Sequence, residues 1–305
     1  MLDLLEGESK CYQYFVDKQI KNRKELREWF KVEPIIGLTQ HFVELMFSNF
    51  KKEQKVKSKQ NSKKSKVETT FCISDLHIPY HDEKAVNLVF DCIVDCQPEN
   101  LILNGDIIDC YWNSSFIKRP KNVCYLQEEA DMFYKKFNYL RKYLPNTNIH
   151  YILGNHEERI EKNQWSNPQF YGLKALDPNN LLKLDKLNIR SYKTKLSLNG
   201  LLYYHGDKVR SNSSYSAKAE FEAHKMINGI SGHTHRLGSH YKTYDEDTTF
   251  WYENGCLCTL NPDYLKDVVD WQHGFSVVYN YEGVNQVLQT LIQNYKFVYN
   301  GVLYK

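Results

Sequence analysis

No uninterrupted apolar run in this chain of 305 residues approaches the roughly 18 residues that a membrane-spanning helix requires, so no membrane partner is expected. The first residues, Met1-Leu-Asp-Leu-Leu-Glu-Gly-Glu, carry acids where a secretory signal wants lysines, and no apolar stretch follows, which predicts a cytoplasmic protein. Cysteine occurs eight times but with neither a C-x-x-C pair nor the density of a disulfide framework, so zinc-knuckle and redox readings lose support. A glycine-rich P-loop is missing, a G-x-S-x-G elbow is missing, and no segment repeats. With 42% hydrophobic and 25% charged residues, disorder along the whole length is excluded as well.

What charge there is sits unevenly. Residues 51–66, KKEQKVKSKQNSKKSK, hold eight lysines and one glutamate; without them the 40 basic and 37 acidic residues fall to 32 and 36. Like charges repel and only Val56 is aliphatic there, so 51–68 is expected to be an extended linker between a helical extension at 1–50 and a main domain at 69–305. Helical spacing before the linker places Leu26, Trp29 and Phe30 on one helix and Phe42, Val43, Leu45, Met46 and Phe50 on another, with Thr39 as N-cap and a break at Pro34 and Gly37. Two such helices could be a helix-turn-helix DNA reader or a small docking element, and DNA or RNA is a candidate partner for the lysines.

From residue 69 the pattern becomes short apolar runs alternating with amphipathic segments, the mark of a layered α/β domain. Strands are predicted at 70–74, 101–103, 149–153, 201–204, 227–231, 249–252 and 275–279, and helices at 83–96, 124–142, 155–163 and 213–225. A strand-rich tail past 239 points to mixed sheets. Five of the strands run into Asp75-Leu-His77, Gly105-Asp106, Gly154-Asn155-His156-Glu157, His205-Gly-Asp207 and Gly232-His233-Thr-His235. Ligands bind at the carboxyl ends of strands in open α/β sheets, so five coincidences point at one crevice. Asp75, His77, Asp106, Asn155, His205, His233 and His235 are too many donors for one ion, and two ions sharing a carboxylate is the economical solution. Mixed imidazole and oxygen ligation suits Mn²⁺ first, with Fe or Zn²⁺ as alternatives, over Ca²⁺. Two such cations about 3.5–4 Å apart can acidify a bridging water and hold phosphoryl oxygens during in-line displacement.

In that order the blocks resemble the calcineurin-like metallophosphoesterases, whose signature is D-x-H, G-D, G-N-H-[DE], a lone H and G-H-x-H. The resemblance implies a four-layer αββα sandwich with two mixed sheets. By position it implies that Asp75, His77 and His235 hold one metal, that Asn155, His205 and His233 hold the other, and that Asp106 bridges them. His156 would stabilise the phosphoryl oxygen or protonate the leaving group, and Asp109 would orient it, as in the similar Gly105-Asp-Ile-Ile-Asp109 block of Ser/Thr phosphoprotein phosphatases. Those phosphatases carry a phosphate-clamping Arg at the next position, where this chain has Cys110. Ser231-Gly-His-Thr-His-Arg-Leu-Gly238 and Trp251-Tyr-Glu-Asn-Gly255 resemble phage and bacterial members.

Arg236, Arg159, Arg210 and His81 are candidate substrate contacts, Arg236 foremost because it follows His235, although each could equally be a solvated surface residue. Trp251 and Trp271 read as core. The function expected is hydrolysis of a phosphomonoester or phosphodiester by a metal-bridging hydroxide, with nucleic acid a candidate substrate. The alternatives are a DNA-binding protein or an interaction scaffold in which this domain is subordinate.

Overall fold

The computed structural model describes residues 2–35, 40, 43–44, 46–48, 50–51, 67–114, 124–262 and 269–305, with backbone alone for 2–9. The expected linker, apart from its ends, lies outside the described residues, as do Thr39, Phe42 and Leu45. Two compact units divide the chain, Met1–Lys66 and Val67–Lys305. Among the described residues no helix is long and apolar enough to cross a membrane.

In the first unit, α1 (Leu2–Asp17) and α2 (Arg23–Val32) are separated by a turn in which the Asn22 side chain accepts from the amides of Lys24 and Glu25, capping α2. Cys11, Phe15, Ile20, Leu26, Val43, Met46 and Phe47 form a buried core of its own.

The second unit is built on two mixed sheets. The first has six strands: β1 (Glu68–Ile73), β2 (Asn100–Asn104), β3 (Asn148–Ile152) and β4 (Ile189–Tyr192) run parallel. The second has five, and its strands β5 (Lys195–Leu198), β6 (Leu201–Tyr204), β7 (Gly229–Ser231), β8 (Leu237–Tyr244) and β9 (Asp247–Asn254) lie in the order β5-β6-β7-β9-β8. The tail returns to the first sheet as β10 (Gly274–Tyr281), antiparallel to β1, and β11 (Val284–Leu291), antiparallel to β10.

Period-two alternation assigns the faces. Cys72, Ile102 and Ile152 point from the first sheet toward Leu201, Tyr203, Ile230 and Tyr252 of the second, and together they are the core between the sheets. Their neighbours Phe71, Ile73, Leu101 and Leu103 point the other way, onto α3 (Glu83–Cys96) and α4 (Leu126–Tyr143), where Val86, Val89, Phe133 and Phe137 receive them. On the outer face of the second sheet, Leu202 and Trp251 pack against Ala217 and Phe221 of a further helix, Tyr215–Ala223. The result is an αββα sandwich, the architecture that the resemblance implied, with a small helical region ahead of it in the chain.

Helix α3 starts and stops where the sequence predicts. The Asp82 carboxylate accepts from the Ala85 amide, and Gln97, left-handed at φ 46°, ends the helix before Pro98. The helix expected at 155–163 instead spans Glu158–Ser166, because residues 154–157 are used in a turn that belongs to the site.

Candidate metal centre

Every loop of the centre leaves the carboxyl end of a strand. Asp75 and His77 follow β1, Asp106 and Asp109 follow β2, and Asn155 and His156 follow β3, all in the first sheet. The second sheet supplies His205 after β6, and His233 and His235 after β7. Crowding there is severe. A Cβ on Gly154 would collide with the Asp106 carboxylate, and one on Gly105 would collide with the His205 ring. Asp75, His77, Asp106, His233 and His235 all adopt left-handed backbone, with φ between 51° and 69°, a conformation that non-glycine residues avoid and functional loops retain.

The structure brings all seven expected ligands together. His77 Nε2 and His235 Nε2 are 3.1 Å apart, and Asp75 Oδ1 lies 3.3 Å from His235 Nε2. His205 Nε2 stands 3.2 Å from both Asp106 Oδ2 and Asn155 Oδ1. The same Asp106 oxygen lies 3.9 Å from His77 Nε2, so one carboxylate faces both groups of imidazoles. Asp106, His205 and His233 place one ligand atom each within 4.8 Å of one another.

These donors fit a pair of divalent cations. Asp75 and Asp106 are carboxylates at 0% and 1% exposure, with no Lys or Arg paired to either among the described residues. Buried charge of that kind needs a counter-charge. The outer nitrogen of three imidazoles is already occupied: His77 Nδ1 by Asp109 Oδ1 at 3.0 Å, His205 Nδ1 by the Asn104 carbonyl at 2.9 Å, and His235 Nδ1 by Cys258 Sγ at 3.8 Å. A proton on Nδ1 leaves the Nε2 lone pair turned inward, the tautomer that ligates metals.

Electrostatics follows from the same contacts. Burial works against the Asp106 carboxylate, but the His205 and His156 imidazoles hold its pKa well below the usual range. Asp75 is likewise lowered, against burial, by His235. Burial opposes charge on His205, yet Asp106 brings its pKa up to about 10, whereas His77 is pushed down, first by burial and then by the neighbouring His156. Divalent ions would displace the protons held at His205, since metal ligands bind deprotonated.

His156 and Asp109 lie beside the ligands. The His156 amide donates to Asp106 Oδ1 at 2.9 Å, and its Nδ1 lies 2.8 Å from the Asp109 carbonyl and 3.1 Å from Asp109 Oδ1. Arg159 donates to the Asp109 carbonyl at 2.9 Å and to His156 Nε2 at 2.6 Å. Asp106 and Asp109 pull the His156 pKa up against burial, whereas a guanidinium can only donate and so requires a lone pair on Nε2. The direct contact decides: the resting imidazole is neutral, with its proton on Nδ1.

The other expected substrate contacts lie as follows. Arg236 is buried, and its guanidinium donates to the carbonyls of Ser211 and Arg210 and to Ser216 Oγ, so it braces the 210–216 loop. Arg210 is exposed and donates to the Val209 carbonyl. His81 pairs with Glu83 at 2.7 Å. Trp251 is core as expected, but Trp271 is half-buried with its ring 4.3 Å from that of His235.

Two acids hold the loop that carries Asp106 and Asp109. Glu157 accepts from the amides of Asp106, Ile107 and Ile108 at 2.8–3.1 Å, from Gly154, and from Tyr151 Oη. Glu129, on α4, accepts from the amides of Cys110 at 2.6 Å and Tyr111 at 3.2 Å. Glu157 stood inside a motif block, but nothing in the sequence pointed to Glu129.

A family model for calcineurin-like phosphoesterases matches residues 69–279. Among solved structures the chain is similar to Vacuolar Protein Sorting 29 from Cryptosporidium parvum, at 13% identity and a TM-score of 0.40 over 78% of this chain and 95% of that one. It is also similar to a dimetal phosphatase from Danio rerio, at 12% identity and a TM-score of 0.37 over 74% and 99%. No curated protein matches it significantly.

Proposed function

Because the chain belongs to the calcineurin-like phosphoesterase family, and with it to the metal-dependent phosphate-ester hydrolases, we propose that this crevice hydrolyses a phosphodiester or phosphomonoester with two divalent cations, Mn²⁺ foremost. The observation that carries the reading is the Asp106 carboxylate, set between His205 and His77. Asp75, His77 and His235 would hold one ion, Asn155, His205 and His233 the other, and Asp106 both. Bound there, the ions supply Lewis acidity to the phosphoryl oxygens and a water acidified toward neutrality.

The chain's own groups do the rest. Asp109 fixes the His156 ring through Nδ1, leaving Nε2 as the atom that exchanges a proton with the leaving group. Arg159, now on that nitrogen, would turn its guanidinium to a phosphoryl oxygen when substrate enters, and Nε2 is then free to carry a proton. Nucleic acid as substrate, the phage or bacterial type, and the 51–68 segment as a linker that meets polyanions belong to the same proposal. An interaction scaffold is not favoured, since every ligand position of the signature is filled.

The test is metal content by plasma mass spectrometry together with turnover of bis(p-nitrophenyl) phosphate against p-nitrophenyl phosphate. Two ions per chain and turnover of either ester are expected. A protein that binds no metal and cleaves neither ester is not a phosphoesterase.

A further inference from the structure

Beside the centre, a cavity of about 460 Å³ opens at Asn155 and continues along one face of the helix Glu158–Ser166. Arg159, Lys162, Asn163 and Ser166 line it at intervals of three and four residues, and Asn113 faces them from the turn after Cys110. Among the described residues it is lined by two cations and by amide and hydroxyl side chains, with no carboxylate and no aromatic ring. That chemistry suits an anion rich in acceptor oxygens, and it offers nothing on which a base could stack.

The two cations are held differently. Arg159 is anchored to the centre through the Asp109 carbonyl and His156. Lys162, three residues and so about 4.5 Å further along the helix, forms its salt bridge among the described residues with the Glu158 carboxylate, at 3.0 Å with both side chains about half exposed. An exposed pair of this kind contributes little, and an incoming phosphate can replace Glu158.

Resting on the phosphoesterase reading of the adjoining centre, we propose that this cavity is a subsite for a second phosphate of the substrate, with Lys162 as its cation and Arg159 shared between the two phosphates. The substrate class is then a phosphate ester that bears another phosphate next to the one attacked. An isolated monoester would leave the cavity unused.

Calorimetry on the full-length, Mn²⁺-loaded chain tests this with thymidine 3′,5′-bisphosphate against thymidine 3′-phosphate. The bisphosphate should bind about tenfold tighter, as one charge-assisted contact allows. Lys162→Ala should shrink that ratio to about twofold or less, and Glu158→Gln, which removes the competing carboxylate, should widen it. A general disturbance of the helix would not move the two variants in opposite directions. Equal affinities in the unaltered protein, or a ratio that neither variant changes, overturns the subsite. If the ratios behave as stated while no ester is ever turned over, the subsite stands and the hydrolytic reading falls.

Discussion

At Asp106 one oxygen serves imidazoles that arrive on loops from both sheets, so its replacement has consequences for both ions. Asp106→Asn keeps the shape and removes the charge. We expect fewer than two ions retained per chain after dialysis, and loss of most activity, read by plasma mass spectrometry and ester turnover. His156 is a different case, since its ring is held by Asp109 and Arg159 and stands 3.7 Å from Asp106, to which its amide donates. His156→Ala should therefore keep both ions and lose about 10²–10⁴-fold in kcat, the usual worth of a general acid. At this scale the sequence was most informative about which side chains meet in the crevice, because a residue type that can bind metal after a strand end is visible in one dimension. It was least informative about Arg236, whose place next to His235 in the chain says nothing about the carbonyls its guanidinium meets.

Elements explain which parts of the fold were legible. Strands β1, β2 and β3 carry apolar residues on both faces, because one face meets helices and the other meets the second sheet, and such runs stand out. Strands β4 (IRSY) and β5 (KLSL) lie at sheet edges with polar residues interspersed, and neither was anticipated. The start of the helix Glu158–Ser166 was misplaced by three residues because Glu157 turns back to the amides of 106–108. Helix α4 holds the same loop from the other side through Glu129, which is 0% exposed. Burial raises the Glu129 pKa to about 8, more than its two amide donors lower it. A carboxyl whose folded pKa lies above its unfolded value of 4.5 binds protons more readily when folded, so its contribution is complete below pH 4.5 and is lost as pH rises through 8. The thermal midpoint of the unaltered protein should then fall more between pH 5 and 8 than that of Glu129→Gln; parallel profiles would refute this.

For the whole molecule, the lysine run is the feature that only sequence describes. Replacing its eight lysines by glutamine in the full chain should raise KM for any nucleic acid cleaved at low salt, while kcat on bis(p-nitrophenyl) phosphate stays the same. Equal KM values would leave the run a spacer. The division of the ligands between the sheets has a mechanical consequence. Asp75, His77, Asp106 and Asn155 belong to one sheet and His205, His233 and His235 to the other, so ions gripped by all of them would add a cross-brace to the apolar core and the few hydrogen bonds, such as Asn254 Nδ2 to the Cys72 carbonyl, that join the two layers. Any ion that binds only the assembled sandwich stabilises it by mass action, about 2.7 kcal/mol at a hundred times Kd. Chelation should lower the melting temperature, and restoring Mn²⁺ should raise it in proportion to the logarithm of the free ion concentration. In Asp106→Asn that dependence should flatten, because the rivet common to both layers has lost its charge.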